Sequence, residues 1–292
     1  MKYIFITERP TQIITAVLLC KSINLTDNIQ IFIANCFENA PEISNRFSEH
    51  IPAITFKLVN SYTTAIEIAE SELPAHLFIH WDVGVGTQKW LSRLKKKNKQ
   101  CKISVFEEGI GTYRQNIYSS TKKRLLEIFN YPINVGGSSH IDNIYIYNKE
   151  NYIRNATKKP KEINQISIQL QDYISENKNK LTTIFSAEKF INQIKSKDNY
   201  KCTIYLSDWS LKESALQTIS QKKGIKIIKL HPHCKETLTT GDSLIAPNSM
   251  PAELLIILLS TIFKQIEVYH HNSSVTLYIN LQNVQFIKLN NN

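Results

Sequence analysis

Short apolar runs alternate with runs of helical period along this chain, and that alternation restricts its fold more than any other feature. KYIFIT reads as a buried strand, and after TERPTQ the segment IITAVLLCKSI has helical spacing. The pairing recurs as IQIFIA before NAPEISNRFSEH, ITFKLV before TTAIEIAESEL, and HLFIHW before TQKWLSRLKKK. KISVFEEG, the helix TKKRLLEIF and the strand NIYIYN close this half. Strands alternating with helices require a parallel sheet covered on both faces. Right-handed crossovers gather the strand-end loops at one edge, and ligands bind there, beyond the carboxyl ends.

The alternation restarts after a polar stretch. CTIYLS precedes LKESALQTISQKKG, IKIIKL precedes HPH, and SLIAP precedes PAELLIILLSTIFKQI, with EVYHH and VTLYIN as short strands at the end. The expected fold class is therefore α/β, with two Rossmann-like domains facing a cleft. The boundaries fall at residues 1–155, a linker and connecting helix at 156–180 that includes QISIQLQDYISE, and residues 181–292. A length of 292 residues suits two domains.

The formal net charge is +10. Such an excess suits nucleic acid, an anionic membrane face or a phosphorylated ligand, and it also describes an ordinary solvated surface. The densest basic clusters are Arg93 to Lys99 and Lys158 to Lys161, and neither carries an RNA-binding or metal-finger signature. No nucleic-acid partner is expected. The longest apolar run, LLIILLSTIF, is far short of the roughly 20 residues that span a bilayer. KYIFIT is too short for a secretory signal. The five cysteines are odd in number and lack CxxC spacing, as in a reducing compartment. The expected location is cytoplasmic, with peripheral contact to the inner membrane through a basic face.

Three strand-end segments carry chemistry. In Phe106-Glu107-Glu108-Gly109-Ile110-Gly111-Thr112-Tyr113, two carboxylates end a strand just before two glycines. Adjacent like charges raise one carboxyl pKa, which suits a general base, although an EEG triplet also makes an ordinary charged turn. In Lys229-Leu230-His231-Pro232-His233, the proline holds His231 extended at the ligand edge, where an imidazole can donate a proton. A surface loop with two histidines is the plainer alternative. In Ala246-Pro247-Asn248-Ser249-Met250-Pro251-Ala252-Glu253, Pro251 suits a helical first turn and Asn248 or Ser249 its N-cap. Such a helix start can bind phosphate or can simply be capped.

In this order the three segments resemble the bacterial sialyltransferases that use CMP-sialic acid. That group includes the lipooligosaccharide sialyltransferases of glycosyltransferase family 52 and the related polysialyltransferases. Their acidic-acidic-Gly motif is matched by Glu107-Glu108-Gly109, and their His-Pro motif by His231-Pro232. Their Ser-Ser motif is matched imperfectly by Asn248-Ser249. The resemblance implies a GT-B glycosyltransferase with an N-terminal acceptor and base domain and a C-terminal CMP-binding domain. It places Glu107 as base and His231 on the leaving phosphate. Pro232, Asn248 and Ser249 fall with the donor, and Glu253 falls near its ribose. Thr7, Arg9, Gln12 and Gly109 fall on the acceptor side, where a terminal galactose of lipooligosaccharide or capsule is expected.

A single departing phosphate needs no metal, and the sequence contains no DxD triplet, so neither metal nor cofactor is expected beyond the donor. Glu108 and Asp208 are rival bases, and Asp208 also reads as a cap for a helix beginning near Trp209. VGVG, at 83–86, reads as a turn on the acceptor side and lacks the third glycine of a dinucleotide fingerprint. Two other readings stand beside the first. One is a capsule or lipopolysaccharide transferase of a keto-deoxy acid or hexose. The other is a non-enzymatic basic protein that binds glycan or nucleic acid.

Overall fold

The computed structural model describes residues 1–195, 200–232, 234 and 242–290. The chain divides into two compact units, Met1–Cys36 with Ala40–Gln169 and Phe37–Asn39 with Leu170–Asn292.

The first unit runs β1 (Tyr3–Thr7), α1 (Pro10–Ser22), β2 (Ile29–Ala34), α2 (Ala40–His50), β3 (Thr55–Val59), α3 (Tyr62–Glu72), β4 (His76–Ile79) and α4 (Val85–Lys97). It continues with β5 (Lys102–Phe106), a 3-10 turn (Ile110–Tyr113), α5 (Ser120–Ile128), β6 (Asn143–Ile146), α6 (Lys149–Asn155) and β7 (Glu162–Gln165). All pairs are parallel, in the order β3-β2-β1-β4-β5-β6-β7. This is the doubly wound Rossmann order with one strand added, and the order reverses between β1 and β4. Helices cover both faces, so the central strands are continuously apolar. Phe5 of β1 stacks on Phe78 of β4 with ring centroids 4.1 Å apart.

The second unit opens with α7 (Leu170–Glu176), α8 (Lys178–Ile184) and α9 (Glu188–Lys195). β8 (Lys201–Leu206), α10 (Glu213–Ser220), β9 (Ile225–Lys229), β10 (Leu244–Ile245), α11 (Ala252–Ser260), β11 (Gln265–His270), α12 (Val275–Tyr278) and β12 (Val284–Lys288) follow. Its parallel sheet has the order β10-β9-β8-β11-β12, reversing between β8 and β11. The LLIILL run lies in α11, buried along its length and packed on α7 and α8. Each such side chain contributes at most about 1.5–3 kcal/mol on burial. Among the described residues no helix is long and apolar enough to cross a membrane.

Two segments differ from the sequence reading. The stretch 156–180 holds β7, a mostly polar edge strand without the apolar run that marks a central one, and then α7. VTLYIN, expected as a strand, instead supplies α12. β11 and β12 are parallel neighbours, so the chain between them must cross over rather than pair.

Candidate active site

The carboxyl ends of β1, β4 and β5 are neighbours, and they are followed by Glu8, His80 and Glu107. After β1, Arg9 is the N-cap of α1 without a side-chain cap bond, since a guanidinium has no acceptor, and Pro10 opens the helix. Thr7 is buried, its hydroxyl donating to the Phe32 carbonyl at 3.0 Å. Gln12 is also buried. Its Oε1 accepts from the Glu8 N–H at 2.7 Å, while its Nε2 has no hydrogen-bond partner among the described residues.

Glu107 is 2% exposed. Its Oε2 accepts from the Tyr113 hydroxyl and from the Tyr147 N–H at 2.7 Å. Burial, and then the Glu107 charge, push the Tyr113 phenol up, so it stays a donor. Glu108 is less buried. Its carboxylate lies 3.7 Å from Arg9 Nη1, and its N–H donates to Thr112 Oγ1 at 3.1 Å. Gly109 has φ 126°, which disfavours any side chain. A Cβ on Gly111 would collide with Glu108 Oε1.

His80 and Glu8 were not singled out by sequence. His80 Nε2 lies 3.0 Å from Glu8 Oε2, and Nδ1 lies 3.4 Å from the Ile6 carbonyl. The available signal was a histidine closing an apolar strand, the same signal that marked His231. Asp82 was missed as well. It is fully buried and accepts the N–H groups of Gly136 at 2.7 Å and Ser138 at 3.0 Å. Burial pushes its pKa up to about 6 against those two donors. The VGVG segment does not form one turn, since Gly84 caps α4 and the helix begins at Val85.

The second sheet has its own charged edge. After β8, Asp208 Oδ1 accepts from the Trp209 N–H at 2.9 Å. It does not cap a helix, because α10 begins at Glu213 with Lys212 as N-cap. The Trp209 indole stacks on the His231 imidazole at 5.4 Å, and Ser207 Oγ accepts from the His231 N–H at 2.8 Å. Pro232 follows in a turn, and His233 lies outside the described residues. Ser249 and Glu253 are buried at the start of α11. The N-cap there is Pro251, with no side-chain cap bond, rather than Asn248 or Ser249. Asn248 Oδ1 is buried without a hydrogen-bond partner among the described residues.

Lys229, quoted in the His-Pro segment but given no role, is buried here. Its Nζ donates to the carbonyls of Leu230 at 2.7 Å and Asn248 at 3.0 Å. Burial lowers its pKa to about 8, against the pull of Glu253. At the end of β11 the buried His271 places Nε2 3.2 Å from the Tyr205 hydroxyl. Among the described residues no cluster of three His, Cys, Asp or Glu side chains is placed to hold a metal.

No family model matches the sequence, and no curated protein matches it. Among solved structures, a variant of the wall teichoic acid polymerase TagF is similar at TM-score 0.50 and 12% identity, over 94% of this chain and 66% of that one. Another TagF structure has TM-score 0.46 and 11% identity, over 91% of this chain and 71% of that one. The E. coli ADP-heptose lps heptosyltransferase II has TM-score 0.41 and 8% identity, over 100% and 92%. The TagF variant shows the fold. This is an α/β chain of two Rossmann-like units.

Proposed function

We propose that this chain is a glycosyltransferase that moves sialic acid from CMP-sialic acid to a terminal sugar of a bacterial surface glycan, inverting the anomeric centre. The observation that carries the reading is the placement of its motifs. The acidic-acidic-Gly segment ends β5, and the His-Pro and Asn-Ser segments follow β9 and β10. These are the carboxyl edges where doubly wound sheets bind ligands. The likeness to a wall teichoic acid polymerase agrees with a role in surface-polymer assembly.

In this reading the acceptor hydroxyl gives its proton to Glu107 as its oxygen bonds to the anomeric carbon. The bond from that carbon to the phosphate oxygen breaks, and CMP leaves. Tyr113 and the Tyr147 N–H fix the orientation of this carboxylate through Oε2. His231, steadied by Trp209 and Ser207, donates to the departing phosphate. Ser249 and the first-turn N–H groups of α11, whose N-cap Pro251 makes no side-chain cap bond, bind the same group. The ribose contact of Glu253 and the acceptor contacts of Arg9, Gln12 and Gly109 belong to the same proposal, as does independence of metal. Glu108 is the second reading for the base, favoured by its smaller burial.

Calorimetric titration with CMP, UDP and ADP tests the donor half. Tightest binding of CMP, weakened on the order of tenfold or more in His231→Ala, supports the reading. Preference for UDP or ADP moves the donor to another nucleotide sugar.

A further inference from the structure

Helix α5 turns its apolar side chains outward. Leu126 is its buried residue, whereas Leu125, Ile128 and the adjoining Phe129 are 55%, 77% and 65% exposed. Spaced at i, i+3 and i+4, these three form one stripe. Lys122, Lys123 and Arg124 precede it. Beyond the helix, Lys158 Nζ donates to Asn130 Oδ1 at 2.8 Å, which brings a second basic segment to the same end. The Lys122 ammonium sits 4.8 Å above the Tyr118 ring. Glu127 is the only acid in α5.

An exposed apolar stripe bordered by Lys and Arg matches the interface of an anionic bilayer, where apolar side chains enter the acyl boundary and cations meet lipid phosphates. We propose that α5 docks this chain on an anionic membrane surface through Leu125, Ile128 and Phe129, with Lys122, Lys123, Arg124 and Lys158 on the headgroups. A stable protein interface uses roughly 20–30 residues a side, far more than this stripe offers. That argues for lipid over a second copy of the chain. The turn Ile110–Tyr113 separates the acidic motif from the approach to α5, and its Tyr113 holds Glu107. Docking therefore anchors the segment that carries the acidic motif, which suits an acceptor rooted in a membrane. This last point rests on the proposed function, whereas the docking does not.

The test is co-sedimentation of the full chain with vesicles of phosphatidylcholine alone or mixed with phosphatidylglycerol. The wild type should partition to the mixed vesicles on the order of tenfold more than to the neutral ones, and high salt should remove the difference. The double variant Ile128→Asp, Phe129→Glu should lose the partition, with its circular dichroism unchanged because both sites are exposed. Phe129→Trp should shift its emission to the blue on mixed vesicles. Undiminished sedimentation of the double variant, or unmoved tryptophan emission, overturns the proposal. So does a lipid-independent oligomer that the double variant dissolves. Vesicle binding needs no turnover, so its failure leaves glycosyl transfer standing, and a failed transfer assay leaves docking standing.

Discussion

The buried ammonium of Lys229 donates to the main-chain carbonyl of Asn248 at 3.0 Å and so ties the loop of His231 to the loop of Ser249. Lys229→Met keeps the stem and removes the donors. Each orphaned carbonyl costs about 1–3 kcal/mol, so the urea midpoint should fall and the KM for the donor should rise. The pH dependence has a definite sign. The folded pKa is about 8, below the ordinary 10.5, so between those values the unfolded chain binds more protons than the native one. Stability from this group is present above the unfolded pKa and lost as pH falls through about 8. The wild type should gain on Lys229→Met by up to ~3 kcal/mol between pH 8 and 10.5, as read by urea unfolding. A flat difference across that range contradicts the burial of this amine.

Asp82→Asn is nearly isosteric yet should destabilise. Both carboxylate oxygens accept a backbone N–H, and an amide replaces one acceptor with a donor. The expected loss is about 1–3 kcal/mol by denaturant unfolding. An unchanged midpoint would show that the 136–138 loop does not depend on this clamp.

Arg9→Ala should leave stability nearly unchanged, because a part-exposed pair at 3.7 Å contributes about 0–1 kcal/mol. Its effect should appear on the acceptor. With Glu108 released, the acceptor KM should rise on the order of tenfold while nucleotide affinity holds. Equal loss of nucleotide binding would remove Arg9 from the acceptor side.

Gly111→Ala drives a methyl into the Glu108 carboxylate. The carboxylate is the end of a flexible side chain, so the fold should survive while Glu108 swings from Arg9. The acceptor KM should rise on the order of tenfold, as for Arg9→Ala, because both changes part Glu108 from Arg9. An unaltered KM in acceptor kinetics would make the position of Glu108 irrelevant.

Both sheets were legible in the sequence because parallel strands buried on both faces write continuous apolar runs, as in IQIFIA and CTIYLS. β7 and β12 were not, since Glu162–Gln165 and Val284–Lys288 are half-exposed edges with polar residues interleaved. At the site, motif residues were found through their place after a strand. Glu8, His80 and Lys229 escaped because their roles come from partners on other strands or loops, and no local pattern records those. The orphaned Nε2 of Gln12 is likewise a property of packing alone. The outward apolar stripe of α5 was read simply as a helix, because spacing fixes one face without saying whether it points to core or solvent.

The most direct measurement is CMP release from CMP-sialic acid with galactose-terminated acceptors, comparing wild type with Glu107→Gln. Glutamine still offers an oxygen to Tyr113 and to the Tyr147 N–H, so the variant should fold. The proposed reaction predicts release by the wild type and a loss of roughly 100- to 10,000-fold in the variant. Equal release by both proteins would remove Glu107 as the base, and no release by folded wild type would contradict CMP-sialic acid as the donor.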